Sequence, residues 1–302
     1  MILVVGATGP VGLGFEICRR LRQAGRPVRA IARPNADQGK VAELWRLGVE
    51  LAPGDLKDRR SLDAACSGVV AVISSATTTL SHQPGDTIPA VDQEGQLQLV
   101  DAARAAGVPR FLYVSYSGNF DDNSPLTTAK RTVERRLQRS GMAYTILRPS
   151  FFMEAWLSPA LGFDIPSGQV RLYGSGERPI SYISLFDVAQ FAVTALDHPL
   201  ARNAVLEIGG PAAVAPVAIV RLAEELSGRP FQVEKVPEEA LRAQMAATTD
   251  PLQQSFAALM LGMAKGDAID MREQQRTFAI PLTSVEEYVR RVLAGAPAPA
   301  TA

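Results

Sequence analysis

The chain has 302 residues, 47% hydrophobic and 21% charged, with 31 basic side chains balanced by 31 acidic ones. That length and apolar share supply a sizeable core, expected as a nucleotide-binding domain with a smaller lobe. Zero net charge, with no basic run interleaved with aromatics, gives no electrostatic footprint for nucleic acid.

The chain opens with an apolar strand, Ile2 to Val5, that runs into Gly6-Ala7-Thr8-Gly9-Pro10-Val11-Gly12, and a helical pattern from Leu13 to Ala24 follows. A strand, a glycine-rich turn and a helix suit a dinucleotide pyrophosphate. Gly6 permits a sharp reversal, Gly9 lets backbone approach phosphate, and Gly12 is assigned to close packing of helix on strand. A tight strand-to-helix turn with no ligand also favours glycine. The second strand, 28–33, ends in Arg33, where an NAD site would offer an acid to the ribose hydroxyls. A guanidinium there matches a 2′-phosphate, so the expected cofactor is NADP(H); a solvated surface arginine is the plainer alternative.

Further apolar runs near 49–52, 69–74, 110–115 and 143–148 alternate with helical patterns, which predicts a parallel sheet covered by helices on both faces. After Arg148-Pro149 the pattern loosens. Short strands are expected near 169–172, 180–184 and 205–208, with helices near 185–197, 215–227, 237–246, 251–264 and 284–293. The fold class is therefore α/β: a doubly wound Rossmann-type sheet, residues 1–153, onto which 181–208 pack back. A mainly helical substrate or cap lobe comprises 154–180 and 209–294, and a flexible tail 295–302.

Cys18 and Cys66 fall in predicted helices and read as small core residues, while His82 and His198 have no ligand partners at metal spacing. No metal is expected. Arg131, Arg135, Arg136 and Arg139 read as one solvated helix face. No apolar run has membrane-spanning length and the first strand begins at the second residue, so the expectation is a cytoplasmic protein without a membrane partner.

Taken in order, these elements resemble the atypical, extended-type short-chain dehydrogenase/reductases, and most closely the NmrA-like NADP(H)-binding group. The likeness rests on the glycine turn, Arg33, Gly54-Asp55-Leu56, Val114-Ser115, Lys130 with Glu134, Arg148-Pro149-Ser150-Phe151-Phe152, and Tyr182-Ile183-Ser184 with Asp187-Val188-Ala189. It implies cofactor contacts from Gly6, Thr8, Gly9, Pro10, Val11 and Gly12, from Arg33, and from Asp55 and Leu56 beside the adenine. Asp55 is equally placed to cap the helix after it. The resemblance also implies contacts from Ser75, Ala76 and Thr77 near a ribose, from Lys130 at the nicotinamide ribose, and from Pro149, Ser150, Phe151 and Phe152 as a nicotinamide wall.

Ser124-Pro125 reads as a helix cap and first residue, which sets Lys130 in the second turn. Typical members carry a tyrosine proton donor four residues before the lysine; here that place holds Leu126. Reduction of a simple ketone benefits from a positioned acid by roughly a hundredfold or more, so the change disfavours that reaction. Quinones, enones and cationic dyes yield delocalised, weakly basic products that need mainly alignment. Ser115, Tyr116, Thr127 and Lys130 are the remaining candidate donors, with Tyr116, which follows the fifth strand, alternatively only lining the cleft. Glu134, at i+4 from Lys130, makes an ordinary helix ion pair the alternative.

Phe152, Met153, Trp156 and Tyr173 are candidate substrate contacts for a flat acceptor, although such residues also build ordinary core between lobes; Met260 and Met263 share that ambiguity. The leading expectation is an NADPH-dependent reductase of a flat conjugated small molecule, as a monomer or homodimer. The rival is a non-catalytic dinucleotide sensor that acts through protein partners.

Overall fold

The computed structural model describes residues 1–80 and 83–295, so His82 and the tail beyond Gly295 lie outside the described residues. The first half alternates without interruption: β1 (Ile2–Val5), α1 (Leu13–Gln23), β2 (Val28–Ala32), α2 (Gln38–Arg46), β3 (Glu50–Pro53), α3 (Arg59–Cys66) and β4 (Ala71–Ser74). A π-helical segment, Ile88–Gly95, then runs directly into α4 (Gln96–Ala105), followed by β5 (Arg110–Val114), α5 (Pro125–Gln138) and β6 (Ala143–Pro149).

The second half contributes α6 (Met153–Trp156), β7 (Phe163–Asp164), β8 (Gln169–Tyr173), α7 (Leu185–Asp197), β9 (Ala204–Ile208) and α8 (Pro216–Ser227). The chain ends with β10 (Gln232–Val236), α9 (Glu238–Ala247), α10 (Pro251–Lys265), α11 (Arg272–Phe278) and α12 (Val285–Leu293). Seven parallel strands form the main sheet in the order β3-β2-β1-β4-β5-β6-β9, and β10-β8-β7 form a small second sheet.

Alternation along β1 shows why the sheet is covered on both sides. Ile2 and Val4 enter one core with Ile17 and Leu21 of α1 and Phe191 of α7, whereas Leu3 and Val5 enter the opposite core with Leu62, Leu99 and Val133. A third core, built on Phe163, Val170, Ile219 and Val289, fills the smaller lobe.

Three local expectations are corrected, and three elements are added. Residues 180–184 form isolated bridges, Ile180 to Val214 and Asp267 and Ile183 to Phe152, because this buried strap touches several elements without aligning beside any. Asp58 rather than Asp55 caps α3, its side chain accepting from Arg60 N at 3.1 Å. Arg131 is buried instead of solvated. Its guanidinium donates to the Ser117 carbonyl at 2.8 Å and to Glu134 at 2.7 Å, tying α5 to the turn after β5. The π-helix, β10 and α11 have no counterpart in the sequence pattern: β10 is almost wholly exposed, so it carries no alternation.

Candidate functional site

The glycine turn, Arg33, Asp55, Leu56, Ser75 to Thr77, Ser115, Tyr116 and Pro149 to Phe152 lie at the carboxyl ends of the parallel strands β1 to β6, where open α/β sheets bind ligands. Gly6 has φ +99°, and a Cβ there would stand 2.8 Å from Ala76 N, so the turns after β1 and β4 nearly touch. Close helix–strand packing belongs to Gly14 rather than Gly12: a Cβ on Gly14 would meet the Gly6 carbonyl oxygen at 2.4 Å. Gly12 meets nothing within 4 Å and is required for its φ of +91° at the N-cap of α1. No side chain caps that end, which leaves the first-turn amides and the positive end of the helix dipole for an anion.

The turn forms the floor of a cleft of about 510 Å³. Gly6, Thr8, Gly9, Pro10, Val11 and Gly12 line it, as do Arg33, Asp55, Leu56, Ser75, Ala76 and Thr77. Three further charged residues line it that sequence reasoning missed: Asp37, Lys40 and Asp86. Lys40 Nζ donates to the Gly9 carbonyl at 2.6 Å, and Asp86 accepts from Arg33 Nη1 at 2.7 Å. A signal for Lys40 existed, because a cation in the first turn of α2, right after the Asp37 cap, opposes the helix dipole. Glycines whose Cβ would fill the cradle, an uncapped helix start and cations at the far end together fit a dinucleotide.

A second, largely apolar cavity of about 150 Å³ adjoins the cleft and shares Val11, Leu13, Ser75, Thr77 and Leu80 with it. Ser115, Tyr116, Lys130, Pro149, Ser150, Phe151, Phe152 and Trp156 line it, with Leu126 and with Phe256 and Leu259 of α10. Met153 is instead fully buried in the third core, and Tyr173 packs partly buried against that core without lining the cavity, its hydroxyl donating to the Leu161 carbonyl at 3.4 Å. Met263 likewise belongs to that core. The Tyr116 hydroxyl is engaged by Thr127, and burial pushes its pKa up to about 12, so it is a poor acid. Ser115 Oγ accepts from Arg131 Nη1 at 3.2 Å.

Lys130 is 4% exposed and projects from α5, whose Ser124 cap accepts from Thr127 N at 3.3 Å. Its ion pair is not with Glu134, which turns to Arg131 and to Arg148 (Nε at 3.2 Å). Instead Lys130 Nζ lies 3.7 Å from Asp92 Oδ1 and 5.2 Å from the centre of the Tyr113 ring. Asp92 projects from the π-helix and is fully buried; its other oxygen accepts from Thr78 N at 3.0 Å and from the Thr78 hydroxyl at 2.5 Å. A widened helical turn of this kind re-aims a side chain at a functional site. Burial pulls the lysine pKa down and Asp92 opposes that pull.

Among the described residues there is no cluster of three or more histidine, cysteine or acidic side chains placed to hold a metal. No described helix is long and apolar enough to cross a membrane.

Comparison with known proteins adds three findings. The family model described as NmrA-like matches residues 1–289. An NAD(P)H azoreductase of Xenophilus azovorans is 33% identical over 264 residues, covering 86% of this chain and 85% of its own; a photosystem II assembly factor of Trieres chinensis is 30% identical over 238, covering 78% and 72%. Among solved structures, an NADPH-dependent quinone oxidoreductase of Escherichia coli in complex with NADPH superposes with a TM-score of 0.77 at 22% identity, covering 97% of this chain and 99% of that one.

Proposed function

The chain belongs to the NmrA-like family, and from that premise we propose that it is an NADPH-dependent oxidoreductase acting on a flat, conjugated acceptor of the quinone or enone kind. The observation that carries this reading is the apolar cavity joined to the dinucleotide cleft, with Lys130 as its buried cation. NADPH would supply a hydride there. The protein's own work is alignment: the α1 amides and Lys40 hold phosphate, Arg33 holds the 2′-phosphate, and Pro149 with Phe151 and Phe152 walls the nicotinamide side.

Lys130 serves two ends in this reading. Its ammonium hydrogen-bonds the nicotinamide ribose and lends positive charge to the acceptor as that gains electron density. Leu126, facing the same cavity, supplies no proton. An acceptor whose reduced form is weakly basic takes its proton from water, so the lack of a phenol does not stop turnover.

A second reading, a dinucleotide-binding protein that acts through partners, is favoured by one feature: the only tyrosine among the described residues lining the cavity, Tyr116, has its hydroxyl occupied by Thr127. Following NADPH absorbance with menadione, an azo dye and benzaldehyde separates the two. Turnover of menadione or the dye well above that of benzaldehyde supports the reductase; tight NADPH binding with no acceptor reduced supports the regulator.

A further inference from the structure

At about 150 Å³ the apolar cavity is smaller than the roughly 300–1,000 Å³ of a site for a drug-sized ligand, so the bulk of each wall decides what enters. One wall is Phe120, in the turn between β5 and α5, and its ring lies against Gly262 of α10. A Cβ on Gly262 would stand 2.7 Å from Phe120 Cε1 and 2.8 Å from Cδ1. Glycine inside a helix is less stable than alanine, and here its bare Cα leaves the room that the ring occupies. Phe151 packs edge-on to Phe120 with ring centres 5.1 Å apart, and Tyr116 stands at 6.2 Å. The backbone of the turn is tied to the same end of α10. Ser117 Oγ and Asn119 Nδ2 each donate to Asp267 Oδ1 at 2.7 Å, and Asp267, 1% exposed, directly follows the Gly266 cap of α10. The Phe120 carbonyl accepts from Thr127 Oγ1 at 3.2 Å.

We propose that Phe120, seated on Gly262, sets the size of the acceptor, favouring a single-ring quinone over one with three fused rings. The inference rests on the reductase reading and names the class of acceptor that this cavity takes. A ring packed against α10 and two aromatic neighbours, on a backbone hydrogen-bonded to α5 and to the residue after α10, yields to a larger molecule only by disturbing that packing. The cost falls on the bulky acceptor and spares the small one. Phe120 lines the acceptor cavity and is not among the residues lining the dinucleotide cleft, so it discriminates acceptors without touching the cofactor.

Measuring kcat/KM of the full chain with NADPH for p-benzoquinone and for phenanthrenequinone tests this. The quinones differ in intrinsic reactivity, but that difference cancels when the ratio of their kcat/KM values is compared between a variant and the unmodified protein. Phe120→Ala should raise the ratio of phenanthrenequinone to p-benzoquinone about tenfold or more, since a whole ring is removed where one methylene in a pocket is already worth about tenfold. The NADPH dissociation constant, read by calorimetry, should stay unchanged. Gly262→Ala presses the ring toward the cavity and should lower the same ratio severalfold; it carries the test if Phe120→Ala fails to fold. A merely structural role would lower both acceptors alike. A ratio that is unmoved, or that moves the other way, overturns the proposal and leaves the reductase reading intact. If the unmodified protein binds NADPH and reduces neither quinone, both fall together.

Discussion

Lys130 takes its counter-charge from Asp92 on a neighbouring element, and this fixes how its chemistry is tested. Removing a partner from a buried ion pair leaves the other charge uncompensated, and a lysine answers by losing its proton at lower pH. Asp92→Ala should therefore move the basic limb of the kcat/KM pH profile for quinone reduction to lower pH. An unmoved limb would take Asp92 out of that role. Leu126 permits a complementary gain-of-function test. It is buried under α10 against Leu259, and its amide donates to Ser255 Oγ at 3.1 Å, so a tyrosine alone would overpack the site at a cost of about 1–3 kcal/mol. Combining Leu126→Tyr with Leu259→Ala makes room for the ring. Reduction of benzaldehyde should rise relative to menadione, because only the aldehyde needs a strong proton donor; an unchanged ratio would show that the phenol does not reach the acceptor.

At the level of elements, the glycine turn and the π-helix hold the two halves of the site in register. Gly14→Val sets a side chain 2.4 Å from the Gly6 oxygen, so α1 must withdraw from β1 and the anion site opens. The expected outcome is loss of NADPH binding with a stability loss of about 1–3 kcal/mol in urea denaturation. Gly12→Ala, by contrast, meets no neighbour and costs about 1–2 kcal/mol through its left-handed backbone alone. If the two variants bound NADPH equally well, helix–strand contact would not be what shapes the phosphate site. Much of this level was legible. The helices with a strong apolar face read correctly from period, whereas β10, exposed along nearly its whole length, offered no period to read.

Across the whole molecule, Asp187 ties the main sheet's layer to the smaller lobe. It sits in the first turn of α7, and its carboxylate accepts from Thr283 N at 2.7 Å and from the Thr283 hydroxyl at 3.1 Å. Burial is the main cause that pushes its pKa up to about 6, outweighing those two hydrogen bonds. The folded protein therefore holds this proton more tightly than the unfolded chain. The stability it contributes is full below the unfolded carboxylate pKa and is lost as pH rises through about 6, by about 2–3 kcal/mol in all. Asp187→Asn retains an acceptor for the amide and a donor for the hydroxyl but removes the charge. Its melting temperature should match the unmodified protein near pH 4 and exceed it at pH 7.5. A difference independent of pH would show that Asp187 is not the titrating group.

By itself the sequence determined the parallel sheet, the glycine turn, Arg33 at the end of β2 and the absence of a phenol four residues before Lys130. All of these are local facts, set by period, by spacing along one helix or by a strand's last residue. Only the tertiary structure decided which charges meet. Lys130 with Asp92, Arg33 with Asp86 and Asp187 with Thr283 are pairs separated by tens of residues. Met153 and Tyr173 went to the core instead of the cavity for the same reason. A side chain's neighbours across elements depend on how helices and strands pack, and local pattern carries no record of that.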